Sequence, residues 1–141
     1  MAGARIVSAV EKLEAIRGAA VIAVVGLQDN PARPAYGVAR FLQARGKRIL
    51  PVHPQGGSVL GETIHRSLAD LPQRPDLVDV FRNPAHLPGL LDEVLALPEA
   101  LRPRILWFQD GVVDEPTADR ALAAGFRVVM DDCTARVLAR A

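Results

Sequence analysis

Gly26 and Arg33 are residue types that hold phosphate, and they stand on either side of one short loop. Glycine lets backbone come close to a ligand, and arginine offers a planar, permanently charged fork of donors. Gly26 ends the apolar run Ala20-Val21-Ile22-Ala23-Val24-Val25 and opens the polar stretch Leu27-Gln28-Asp29-Asn30-Pro31. A helical pattern follows over residues 35–45, whose first turn brings free N–H groups and partial positive charge to the same place. The alternative for Arg33 is a solvated loop side chain. Cys133 is the other reactive type. Asp131 and Asp132 before it oppose a thiolate and a helix start after it favours one, so it reads either as a reactive thiol or as a small core residue. His53, His65 and His86 lack metal-site spacing, and no cysteine pairs with them, so no metal is expected. No G-x-S-x-G elbow or Walker loop occurs, and no catalytic residue is assigned. Asp110, Asp114 and Glu115 cluster, with capping of the next helix as their simplest role.

The elements that must position these residues alternate along the chain. Apolar runs at 20–26, 48–52, 77–81, 104–108 and 126–130 read as strands. Helical patterns lie at 35–45, 84–96 and 116–124, with a short turn near 66–70 and a last helix after Asp132. Ile6, Val7, Val10, Leu13 and Ile16 have helical spacing and mark an N-terminal helix within residues 1–18 that packs on the domain. Strands alternating with helices of this length imply right-handed βαβ units. The expected fold is α/β: a Rossmann-like, doubly wound, mostly parallel five-stranded sheet with helices on both faces.

Ligands of such sheets bind beyond the carboxyl ends of the strands, where the winding reverses. The residues just after each strand are Gly26 to Asn30, then His53-Pro54-Gln55, Arg82-Asn83-Pro84, Gln109-Asp110-Gly111 and Asp131-Asp132-Cys133. The first loop is not a dinucleotide fingerprint, because no G-x-G-x-x-G follows Gly26. An NAD site also wants a carboxylate about 20 residues on, at the end of the second strand. No carboxylate lies between Asp29 and Glu62, whereas Arg33, Arg40, Arg45, Lys47, Arg48 and His53 do. A phosphorylated ribose suits that interval, which leaves NADP or coenzyme A. His53 either contacts that phosphate or is a packed hydrogen-bonding residue.

The totals exclude other classes. The 141 residues suit one domain, and half of them are hydrophobic, enough for a real core. A net charge of +1 argues against a general nucleic-acid or membrane-surface binder. The longest apolar run is far too short to span a bilayer, and the N-terminus lacks the form of a signal peptide. One cysteine and no leader fit a cytoplasmic protein.

In order along the chain, the segments VIAVVGLQDNPARPAYGVARFL, RILPVHP, SLADLP, DLVDVFRNP, ILWFQDGVVDE and VVMDDC resemble the small stand-alone CoA-binding domain proteins. Their Rossmann-like domain is similar to the N-terminal domain of the succinyl-CoA synthetase α subunit. The resemblance implies that Gly26 and the loop after it hold the CoA phosphates, through Leu27, Gln28, Asn30, Arg33 and Tyr36. It implies that Pro51, His53 and Pro54, then Phe81, Arg82, Asn83 and Pro84, then Gln109 and Gly111, line the nucleotide and pantetheine arm. Cys133 completes the set and, under oxidising conditions, is a candidate for a mixed disulfide with the CoA thiol. The chain departs from the family pattern at His53, where asparagine is usual, and after Cys133, where Thr134-Ala135-Arg136 replaces a charged tail.

The synthetases phosphorylate a histidine on a second domain, for which 141 residues leave no room. The resemblance therefore implies binding of CoA or an acyl-CoA without catalysis, as a sensor or carrier. An NADP-dependent oxidoreductase and the CoA-binding subunit of a split acyl-CoA synthetase are the alternatives. A homodimer, through the N-terminal helix or the last strand, and a separate protein partner both stay open.

Overall fold

A strand buried on both faces must be apolar along its whole length, and the first apolar run obeys that rule. In the computed structural model, which describes residues 3–141, that run is β1 (Val21–Val25). Its Ile22 and Val24 enter one core, and its Ala23 and Val25 enter the other. Parallel neighbours flank it, β2 (Arg48–Val52) on one side and β5 (Leu77–Val80) on the other. β6 (Ile105–Phe108) and β7 (Arg127–Val129) complete a five-stranded sheet of order β2-β1-β5-β6-β7, parallel throughout. This is the doubly wound α/β sheet read from the alternating pattern. The sequence reading has no strands between β2 and β5, where the chain inserts a hairpin of β3 (Ser58–Val59) and β4 (Glu62–Thr63). Two-residue strands are too short to show a period.

Helices cover both faces. α1 (Ala9–Gly18), α2 (Pro34–Ala44) and α5 (Thr134–Ala139) supply Ile16, Leu42 and Val137 to the core that holds Ile22 and Val24. α3 (Leu87–Ala96) and α4 (Glu115–Ala123) bring Leu91, Val94, Ala118 and Ala121 to the opposite core. No helix among the described residues is long and apolar enough to cross a membrane.

The N-terminal segment corrects the helical spacing. α1 begins only at Ala9, with Ser8 accepting from the Glu11 amide at 3.1 Å. Val7 and Val10 are 67% and 66% exposed, so they form no buried face. Ile6 is buried, but outside the helix: its amide donates to the Val128 carbonyl at 2.8 Å, as residues 4–6 run along the outer edge of β7. The opposite edge is treated alike. His65 donates to the Pro51 carbonyl at 2.9 Å and accepts from the His53 amide at 2.8 Å. The main-chain polar side of Pro51 thus points to the outer edge of β2, and its missing N–H costs the sheet no bond to β1.

The order of strands positions the site. β2 and β5 lie on opposite sides of β1, so the chain leaves β1 for α2 on one face and leaves β5 for α3 on the other. The two exits part above the sheet and leave a crevice. Gly26 sits at that parting with φ +97°, and a Cβ there would lie 2.1 Å from the Phe81 carbonyl oxygen. Neither the backbone angle nor the space admits a side chain. Gly26→Ala should therefore cost about 3 kcal/mol or more in urea unfolding. A loss below about 1 kcal/mol would show that β1 and β5 can separate here without strain.

Candidate functional site

The crevice above β1 and β5 is a cleft of about 590 Å³, within the ~300–1,000 Å³ common for small-molecule sites. Its first wall is the start of α2. Arg33 is the N-cap residue, and Pro34 takes the first helical position, one residue earlier than the sequence pattern suggests. Proline suits that position because its missing N–H would be unpaired there anyway. Ala35 and Val38 extend the wall down the helix. Asn30 shapes the loop that presents Arg33: its side chain accepts from the Ala32 amide at 3.0 Å, and its carbonyl accepts from the Arg33 amide at 3.0 Å. Gly26, Gln28, Phe81, Arg82 and Asn83 form the floor, and His53 closes the β2 side. Gln109, Asp110, Val112 and Cys133 make the far wall, beyond β6 and β7. A smaller lobe of about 280 Å³ opens on the α3 side and shares Gly26, Arg82 and His86 with the main cleft.

Charge is unevenly spread around this space. Arg33 and Arg82 line it and take part in no ion pair among the described residues. His53 adds little charge: burial and the positive charge of Arg82 hold its pKa below the ordinary 6.5. Its Nδ1 accepts from the Gln55 amide at 3.1 Å, so the neutral ring carries its proton on Nε2. On the far wall the acid is already spent. Both nitrogens of the Arg136 fork meet Asp110 at 2.8 Å, and these bonds hold the Asp110 carboxyl below its usual range. Arg136 also reaches Asp132 at 2.7 Å, and Lys12 of α1 reaches it at 2.9 Å. Burial works against an ionised Asp132, but Lys12, the Cys133 amide and Arg136 together keep its pKa low. Asp114 takes the capping role, accepting from the Thr117 amide at the start of α4. No cluster of three or more metal-ligating side chains occurs among the described residues.

A strand-end crevice at a winding reversal is where open parallel sheets bind their ligands. A family model described as CoA binding domain matches residues 20–139. The chain belongs to this CoA-binding domain family. The uncharacterized protein YneT of Bacillus subtilis strain 168 is 38% identical over 112 residues, covering 79% of this chain and 80% of YneT. A solved Thermus thermophilus protein, cell-free ID.343, is also 38% identical and superposes with a TM-score of 0.87 over 95% of this chain and 98% of its own. A hypothetical protein from Pyrococcus horikoshii OT3 has a TM-score of 0.87 at 25% identity, over 95% of this chain and 92% of that one.

In this CoA-binding domain the cleft brings together Gly26, Gln28, Arg33 and His53 with Phe81, Arg82, Asn83, Gln109 and Cys133. Pro54 lies in the smaller lobe. Leu27 points away: its side chain is fully buried in the core under α2, and Tyr36 packs half-buried against the same core. Pro51 is buried within β2, and Asn30 turns its side chain into its own loop. Pro84 starts the turn that Asn83 caps by accepting from the Ala85 amide at 2.9 Å. Gly111, at φ +74°, donates its amide to Asp131 at 2.7 Å. Val38, His86 and Val112 line the cleft but escaped the sequence reading. Val38 follows Pro34 at helical i,i+4 spacing, a usable signal. His86 and Val112 left none beyond lying next to the loops.

One buried acid stands behind the far wall. Asp79, in the middle of β5, is fully buried. It accepts from Gln109 Nε2 at 2.6 Å and from the Thr134 hydroxyl at 2.8 Å. Burial raises its pKa from 3.8 to about 7, against the lowering effect of both hydrogen bonds. An acid inside an otherwise apolar strand run was the sequence signal for this network, since a buried carboxyl requires partners. The folded pKa exceeds the unfolded one, so folding takes up a proton between pH 4 and 7. Stability should fall on the order of 4 kcal/mol as pH rises through that window and level off above it. The depressed acids Asp110 and Asp132 act in the opposite sense, losing stability only as pH falls below the ordinary carboxylate range. Asp79→Asn should flatten the decline between pH 4 and 7 in urea titrations. An unchanged slope would mean that Asp79 is not the group taking up the proton.

Proposed function

We propose that this protein binds coenzyme A or an acyl-CoA in the cleft, without chemistry of its own, as a sensor or carrier. The polarity of the cleft carries this reading. Arg33 and Arg82, unpaired, face it from the β1 and β5 side. The β6 and β7 side presents Gln109, Val112, Cys133 and an Asp110 neutralised by Arg136. CoA has the matching division, with phosphates at one end and a long uncharged arm at the other. Charge-assisted hydrogen bonds from arginine suit the phosphates, and the start of α2 adds its partial positive charge. The end of β2 supplies His53 where an NAD site would place a carboxylate.

Isothermal calorimetry of the full chain against CoA, NADP and NAD tests the reading. CoA should bind, and NAD should not. Binding of NADP without CoA would overturn it. Arg33→Ala and Arg82→Ala should each weaken CoA binding about tenfold at low salt, the loss of one charge-assisted contact. Each should also flatten the salt dependence while leaving unfolding within about 0.5 kcal/mol of the parent. Unchanged affinity at low salt would remove these arginines from the site.

A further inference from the structure

Gln109 is only 3% exposed, and the structure uses one side of its amide. Nε2 donates to Asp79 at 2.6 Å and to the Thr134 hydroxyl at 3.0 Å, which engages both of its hydrogens. Among the described residues, Oε1 accepts no hydrogen bond. Among the described residues, however, no side-chain polar atom sealed from solvent lacks a partner. This oxygen therefore opens onto the cleft that Gln109 lines. Water can reach this acceptor through the cleft, and a ligand N–H entering there would take the place of that water.

The orientation is imposed from behind. With Asp79 ionised, a turned amide would set Oε1 against a carboxylate oxygen at the 2.6 Å separation now held by a hydrogen bond. Asp79 has no charged partner among the described residues. Val24 of β1 and Trp107 of β6 flank it in register, and α5 contributes Thr134. The charged groups around the start of α5, Lys12, Asp132, Arg136 and Asp110, pair with one another. Arg33, Arg82, His53, His86 and Cys133 line the cleft instead.

We propose that Gln109 Oε1 selects the ligand by accepting a hydrogen bond from an amide N–H of its uncharged arm, and that Asp79 is the positioning residue that keeps this acceptor turned outward. The inference rests on the CoA reading and adds which chemical group the far wall recognises. A thiol is a weak donor, so the arm's amides are the better match. Protonated Asp79 permits either orientation of Gln109, which would halve the competent population. Its raised pKa places that change near neutrality.

The test compares CoA with adenosine 3′,5′-bisphosphate, which has the phosphorylated ribose but no arm. Gln109→Met should weaken CoA about tenfold, one hydrogen bond, and leave the bisphosphate unchanged. For the parent, the ratio of CoA to bisphosphate affinity should rise about twofold from pH 6 to pH 8. Asp79→Asn should make that ratio independent of pH, because an amide there holds Gln109 either way round. A Gln109 variant that binds CoA like the parent overturns the inference alone, as does equal loss for both probes. If Gln109→Met does not fold, an unaltered pH profile in Asp79→Asn overturns it. A parent that binds neither probe overturns the CoA reading and this inference together.

Discussion

The backbone contact between Gly26 and the Phe81 carbonyl governs the architecture around the site. No side chain fits between them, so the ends of β1 and β5 stay close while the chains leaving them diverge. Everything that lines the cleft hangs from that divergence: α2 with Arg33 on one face, and the turn of Arg82 and Asn83 leading to α3 on the other. Glycine serves here for strand packing as much as for access to a ligand. Its role at the end of β1 thus differs in kind from that of the glycines of a dinucleotide fingerprint, where close approach to pyrophosphate is part of the design.

Ionic groups around the cleft divide into those that are satisfied and those that are not. Lys12, Asp132, Arg136 and Asp110 tie α1, α5 and the loop after β6 into one closed set of alternating charges. Partly exposed pairs of this kind add little stability individually, but the bidentate Arg136 holds α5 to the loop after β6, and Lys12 joins α1 to the set through Asp132. Arg33 and Arg82 stand outside that set. Behind Gln109 of the far wall, Asp79 sits where its burial opposes ionisation, and it has only neutral donors for company. The fold tolerates this because Gln109 and Thr134 satisfy both of its oxygens.

Much of this was legible in the sequence because parallel strands advertise themselves. Continuous apolar runs gave all five strands of the main sheet, and the residues after them located the cleft without any fingerprint motif. The N-terminal pattern misled at Val7 and Val10, because a short bridge to β7 precedes α1 and shares its apolar residues with a helical spacing. β3 and β4 left no trace at two residues each. Within the site, sequence position could say that Gln109 follows a strand, but not which side of its amide faces the cleft. That depends on Asp79 and Thr134, 30 and 25 residues away, meeting only in the folded chain. Leu27 and Tyr36 show the converse: adjacency to a loop does not decide whether a side chain points to ligand or to core.

The bridges along β2 and β7 have a consequence for assembly. His65 already occupies the Pro51 carbonyl and the His53 amide at the outer edge of β2, and residues 4–6 occupy the outward main-chain groups of Val128 in β7. A second copy seeking to extend the sheet at β7 would first have to strip off a segment whose Ile6 is buried in the core, and one approaching β2 would have to displace the His65 bridge. Main-chain docking of that kind is the usual route to sheet polymerisation. Self-association would be steered instead toward side-chain contacts on helical surfaces, where its strength and specificity can change with single residues while the sheet stays as it is.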